Sequence, residues 1–568
     1  MLDIAIIECY IVVTMHIDDQ KYTRDGRTYR RTLLRNSYRK DGKVFHDTVA
    51  NLSKCSDEEI EALKFALKNK AHLSRVQISD DRVQTRQGLS IGAVWLLYQL
   101  AKKLGILKAL GHSREAKLAL WLVISSVIGS VSRLSAVRLA KSHAACDILG
   151  LDGFCEDDLY HTLDWLDEQQ PMIEDRLFRS RYQNKTPNLF LYDVTSSYLE
   201  GDQNELADYG YNRDGKRGKK QIVVGLLTDD EGYPVSCEVF QGNTNDTGTF
   251  KSQLEKVAQR FGVKRVTFVG DRGMIKSAQI HDLSEEDYYY ITALTKPQME
   301  KSLKEGIFQT QLFDKTICEI MDNGIRYILR CNPIRLKEIR DNRQSRMQSL
   351  ERLCIKKTQY LAEHPKAQVD VAERNINAFA DKLKISKWVR ICAEGRSLSV
   401  AVDKVELEKA EKLDGCYTIK SNIPVEVATK ETIHDRYKDL AEVEWAFRTM
   451  KTTLLHIRGI YVRKANRTKA HVFTIMLAYM LAYRLRRLWQ DIEVTIEEGI
   501  EELSSLCAIE VITGDLSIHT VPVPRKTGKE LLEKANVSLP DAIPCRKACV
   551  HTRKSLVEER NIPVNSNY

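Results

Sequence analysis

The sequence predicts an α/β protein whose mixed-sheet core is interrupted by an α+β insertion and preceded by a small β-sheet and an all-helical region. Three observations carry this. Strand-length apolar runs recur between Leu189 and Leu294, separated by turn residues and helical stretches. Helical periodicity dominates from Leu89 to about Phe178. A long charged block, Leu294 to His434, fits neither pattern and divides the strand-rich segment from a last helical one. At 568 residues the chain is too long for one simple core.

Bulk properties narrow the class. With 43% hydrophobic and 29% charged residues the composition is that of an ordinary globular protein, and the net charge of +9 leans weakly toward a polyanionic partner. Thirteen cysteines, an odd number without a paired framework, read as reduced thiols in a cytosol. The run Ile4 to Val13 is apolar, but it is too short to span a bilayer and lacks a basic flank and a cleavage site. It reads as a buried strand, or as sequence upstream of a start at Met15; no membrane partner is expected. Cys545, Cys549 and His551 offer three ligands where a closed zinc site wants four, so zinc is not expected there.

Taken in order, residues 1–88 read as a β-rich region whose basic face is either a DNA-binding surface or a solvated sheet face. The pairs Asp25-Gly26 and Asp41-Gly42 signal hairpins, and basic residues interleave with Tyr22, Tyr29 and Tyr38. Ser56 then caps a helix that opens on Glu58, Glu59 and Glu61. Residues 89–180 are helical: Val94, Leu97, Tyr98, Ala101 and Leu104 make one apolar face, and Leu159, Leu163 and Leu166 another. Residues 181–294 run strand, hairpin, helix, strand, helix, strand, the opening order of a ribonuclease-H-like core. In this reading Asp193 sits just past the first strand and Asp271 just past the fourth. Residues 295–433 are the insertion, in which Met347, Leu350, Cys354 and Leu361 mark a helical seam. Residues 434–519 resume the core and carry a strongly apolar helix, Ala470 to Leu488, suited to the back of the sheet. Residues 520–568 form a basic, proline-rich extension.

The stretch Tyr437 to Lys451 organises the rest. Tyr437, Glu444 and Lys451 are seven apart, about two helical turns, and a heptad drifts by only ~20°, so they share one stripe that Arg448 joins a turn beyond Glu444. Taken singly, Asp193, Asp271 and Glu444 are ordinary: an Asp at a strand end is usually a turn or cap. Converging, two carboxylates about 4 Å apart would repel by ~4 kcal/mol at an effective dielectric of 20, so a fold would gather them only around a cation or a shared proton. An all-oxygen set suits Mg²⁺ or Mn²⁺.

The segments LYDVTSSYLEG, VGLLTDDEGYPVSCEVFQGNTND, FVGDRGM and YKDLAEVEWAFRTMK together resemble the DDE transposases of bacterial insertion sequences, in the IS-four superfamily branch with a long insertion before the Glu helix. The resemblance implies that Asp193 bridges two Mg²⁺ or Mn²⁺ ions while Asp271 and Glu444 each complete one site. Tyr437 and Lys451 would hold DNA-end phosphates, with Arg272 a further contact. Leu440 stands where the family has Arg, so that phosphate contact is missing or comes from elsewhere, with Arg448 the candidate. The implied activity is cleavage at the terminal inverted repeats of an insertion sequence and strand transfer of the 3′-hydroxyl ends into double-stranded target DNA, by a homodimer. A decayed DNA-binding regulator, or a metal-dependent nuclease that does not join, are the alternatives.

Overall fold

The computed structural model describes residues 14–554 apart from 25–26, 41–42, 69–83, 130–131, 184–186, 217, 262–265, 273–274, 276–278, 281–282, 284–287, 315, 454, 456, 458–459, 514–515 and 547. The chain divides into two compact units, Met1–Gly88 with Ala508–Val521, and Leu89–Cys507 with Pro522–Tyr568.

In the first unit, Thr14–Arg24, Arg27–Lys40 and Lys43–Asn51 form an antiparallel meander. The two Asp-Gly pairs expected to turn it, and the run Ile4 to Val13, lie outside the described residues. Helix Asp57–Lys68 follows, and its cap is reciprocal: the Ser56 N–H donates to Glu59 Oε2 (2.7 Å) and the Glu59 N–H to Ser56 Oγ (3.2 Å). The segment Ala508–Val521, expected to close the core, clusters here instead. Its β-branched residues Ile509, Val511 and Ile512 build a hairpin, Cys507–Thr513 with Leu516–Thr520, beside strand Gln84–Ser90.

The second unit is organised on an eight-stranded sheet. Its strands are β1 (Leu189–Tyr198), β2 (Gln221–Asp229), β3 (Pro234–Phe240), β4 (Thr267–Gly270), β5 (Tyr289–Ala293), β6 (Cys318–Asp322), β7 (Ile325–Cys331) and β8 (Cys416–Ser421). They lie in the order β6-β7-β8-β5-β4-β1-β2-β3. Within it, β3-β2-β1-β4-β5, with β2 antiparallel to its neighbours and β1, β4 and β5 mutually parallel, is the ribonuclease-H-like order. The two faces read off β1 with period two: Leu189 and Leu191 on one, Phe190, Tyr192 and Val194 on the other, all buried. The first face is covered by helix Ala465–Leu488, which is buried along almost its whole length and packs on β3 and on helices Glu156–Tyr182 and Arg114–Ile128. Phe178, Phe250 and Val257 cover the second. A sheet buried on both faces needs the apolar runs that the sequence has.

The 295–433 block departs from a free-standing insertion. Its strands β6, β7 and β8 extend the core sheet, because β8 pairs antiparallel with both β5 (Ile291 with Ser421) and β7 (Cys331 with Cys416). The block also has two small cores of its own: Met299, Phe308, Tyr327, Leu329 and Leu413 form one beside β6 and β7, and the middle of the block holds the other. There Leu350, Cys354 and Leu361 of helix Pro333–Glu363 meet Ala372, Ile376 and Ala380 of helix Val369–Lys382 and the hairpin Val389–Val402. The C-terminal extension contains helix Lys526–Lys534 and a short strand, Cys549–His551, parallel to Gly153–Cys155. Among the described residues no single helix is long and apolar enough to cross a membrane.

Candidate active site

Asp193 does not end its strand; it is the fifth of ten residues in β1, because the β-prone run Val194 to Tyr198 stays paired with β2. What ends at this point is the pairing on the other side. Parallel β4 matches β1 only as far as Tyr192 with Gly270, so Asp193 and Asp271 are the next residues on two adjacent parallel strands, and neighbouring strands run about 4.8 Å apart. Odd positions Leu189, Leu191 and Asp193 share the sheet face on which the Glu444 helix rests.

That helix spans Leu440–Arg448 and packs on β1 through buried Val443, Ala446 and Phe447, which leaves Glu444 exposed on its free side. Asp193, Asp271 and Glu444 line one open cleft of ≈ 360 Å³ together with Tyr437, Lys438, Leu440, Ala441, Asn332 and Tyr417. Burial at the cleft floor is the main cause pushing the Asp193 carboxyl up to about 7. The charges of Asp271 and Glu444 add to it, while the Val194 N–H (2.8 Å) and Arg213 oppose it. Asp271 is exposed, accepts from the Arg272 N–H (2.7 Å) and lies 3.5 Å from the Tyr437 hydroxyl. Desolvation first, and Asp271 second, raise the Tyr437 phenol well above its ordinary value, so it stays a donor.

The single stripe expected from Tyr437 through Lys451 is broken twice. One helix ends at Lys438 and the next starts at Leu440, with Asp439, a poor helix former, between them. After Arg448 the backbone widens into an i→i+5 turn over Thr449–Thr453, which shifts the phase of whatever follows. Lys451 consequently turns inward: it is only 8% exposed and pairs with Asp214 at 3.2 Å. Arg448 lines a separate cleft with Trp445, Arg486 and Trp489. Tyr437 reaches the acids, and Arg272 is exposed beside Asp271.

Three polar cleft residues lay outside the expected set. Lys438 follows Tyr437 directly and could have been read from its neighbour. Asn332 carries the signal of a helix cap, accepting from the Ile334 and Arg335 N–H groups ahead of Pro333. Tyr417 reaches the cleft because β8 belongs to the core sheet, and its hydroxyl sits 2.6 Å from His434 Nε2.

A ribonuclease-H-like sheet with acids gathered at the end of its β1/β4 pairing defines a class of α/β proteins with an acidic, open cleft. The family model for the transposase DDE domain matches residues 184–481, and that for the N-terminal domain of IS1634 family transposases matches residues 19–81. The chain belongs to the DDE-domain transposases of bacterial insertion sequences. No curated protein matches it. Among solved structures it is similar to a piggyBac transposase in a synaptic complex with hairpin DNA, with 10% identity, 72% of this chain and 75% of that chain covered, and a TM-score of 0.35.

Proposed function

We propose that the cleft cleaves DNA at the terminal inverted repeats of an insertion sequence and transfers the freed 3′-hydroxyl ends into target DNA, with Asp193, Asp271 and Glu444 holding two Mg²⁺ or Mn²⁺ ions. The observation that carries this reading is the side-by-side placement of Asp193 and Asp271 where β4 ends, with Glu444 on the same cleft.

The donor set fits such ions. It is all oxygen, and the burial that first raises Asp193, with the charges of Asp271 and Glu444 behind it, is a cost that a bound cation would offset. Among the described residues no group of three or more His, Cys, Asp or Glu closes into a single cage. When bound, the ions would activate a water or a sugar hydroxyl and stabilise the leaving oxygen of an in-line displacement.

The remaining side chains position DNA. Tyr437 donates toward Asp271 and orients that carboxylate. Arg272, exposed next to Asp271, and Lys438, exposed on the cleft, meet phosphates, and Lys438 supplies the cationic contact that Leu440 cannot. Arg448 faces its own cleft and has no part in this contact. The protein acts as a homodimer on paired element ends, in the cytoplasm of a bacterium.

Purified protein incubated with Mg²⁺, labelled element ends and a plasmid is expected to give joined products, and EDTA to abolish them. Cleavage without joining would make the protein a nuclease. Retardation of the ends without any cleavage would make it a regulator.

A further inference from the structure

We infer that the loop joining β1 to β2 is a docking platform for an unpaired DNA strand emerging from the cleft, and that Lys451 holds the platform in place through Asp214. This rests on the reading of the cleft given above.

Within residues 209–220 the sequence has five cations, Arg213, Lys216, Arg217, Lys219 and Lys220, against one carboxylate, Asp214. That carboxylate is already committed. Its oxygen takes the Lys451 ammonium at 3.2 Å, and the two side chains are 6% and 9% exposed. Arg213 also pairs with Asp246 and Lys219 lies 3.5 Å from Glu200, which leaves the loop a smaller positive excess, and two aromatic rings stand on it: Tyr209 is 62% exposed and Tyr211 82%. Lys220 lies 5.9 Å from the first ring and the Arg213 guanidinium 5.7 Å from the second. Aromatic faces flanked by cations suit bases that have left the helical stack together with the phosphates between them, and stacking tolerates any base. A fully paired duplex offers the phosphates but hides the base faces.

The platform is ordered before any strand arrives. Asn212 closes a turn, accepting from the Asp214 N–H (2.9 Å) and donating to the Lys216 carbonyl (2.7 Å). The Arg213 N–H donates to Ser196 Oγ (3.0 Å), three residues beyond Asp193 on β1. Gln221 Nε2 donates to the Tyr211 and Gly242 carbonyls (3.1 and 2.8 Å). At Gly210 a Cβ would come within 2.1 Å of the Gly242 carbonyl oxygen, so only glycine permits this approach. With the backbone held in this way, binding has only the two tyrosine side chains left to order. Lys451 leaves the turn that follows the Glu444 helix, so the anchor couples the platform to the element carrying the third acid.

The test uses the full chain in EDTA, with two fluorescein-labelled probes: a short blunt duplex and the same duplex with a single-stranded 3′ extension. The wild type should bind the extended probe roughly tenfold more tightly, the scale of one stacked base. Tyr209→Ala/Tyr211→Ala should erase that preference while leaving blunt binding unchanged, and these exposed positions leave the fold intact. Lys451→Met should erase it as well, and Lys451→Arg, which keeps the ion pair, should retain it. Equal binding of both probes by the wild type, a preference surviving in the tyrosine variant, or an equal loss on both probes would each overturn the platform. A preference surviving in Lys451→Met would overturn the anchor. No divalent ion and no cleavage enter the assay, so its failure is separate from failure of the proposed chemistry.

Discussion

Asp193→Asn should reduce end cleavage by about 10³-fold or more, the size of losing one group that stabilises charge developing in a transition state, while binding of element ends persists. Asparagine keeps the shape and can still accept the Val194 N–H (2.8 Å), so the substitution removes little besides the charge. In the proposed arrangement that charge is shared by both ions, and no neighbour replaces it: Asp271 and Glu444 are each engaged on one side, and Arg213 has the wrong sign. Stability separates a catalytic role from a structural one. Asp193 is pushed up to about 7 by burial and by two like charges, so a neutral side chain relieves the site, and the melting temperature should hold or rise. Asp271→Asn and Glu444→Gln should lose cleavage in the same way. Wild-type cleavage by any of the three would remove that residue from the mechanism, and a lower melting temperature accompanying lost activity would point to a structural role.

How much of this was legible in the sequence depends on the range of the interactions. The strands β1 to β5 and the helix Ala465–Leu488 announce themselves through local patterning, and so do the hairpin signals and the Ser56 cap of the first unit. The three acids are legible because each follows or sits within a recognisable element. What escapes is non-local. That β8 pairs with β5 depends on a register between Ile291 and Ser421, far apart in the chain and joined by a block whose charge-rich helices dominate its composition. Nothing near Lys451 says that its partner is Asp214, and without that partner a heptad count places it beside Glu444. The break at Asp439 and the wide turn at Thr449 each shift the helical phase, and propensity alone carries Leu440 to Lys451 as one continuous helix.

Glu174→Ala is expected to destabilise the second unit by about 3 kcal/mol, near the low end of the cost of breaking a buried pair. Followed by Asp175 and Arg176 in the charge-rich helix Glu156–Tyr182, Glu174 would pass in sequence for a solvated side chain, yet it is 0% exposed. Its Oε1 accepts from Ser236 Oγ (2.9 Å), Gln170 Nε2 (2.8 Å) and the Cys237 N–H (3.3 Å), while Oε2 faces Arg260 (3.2 Å) and Lys256 (3.9 Å). One carboxylate thus fastens a helix, the edge strand β3 and the turn Lys256–Arg260 together. Alanine strands the Cys237 N–H and two cations, but Arg260 keeps Asp175 (2.8 Å) and Lys256 keeps Glu238 (3.7 Å), which moderates the loss. A fall in melting temperature of roughly 3 °C follows from scaling the usual unfolding entropy per residue to a unit of this size. Glu174→Gln, which preserves the acceptor and the shape, should cost about half as much. Because β3 is separated from β1 by β2, cleavage measured well below the melting temperature should survive. An unchanged melting temperature in the alanine variant would mean that Ile173 and Leu177 alone hold the helix to the sheet, and that the buried carboxylate sets only the register of β3.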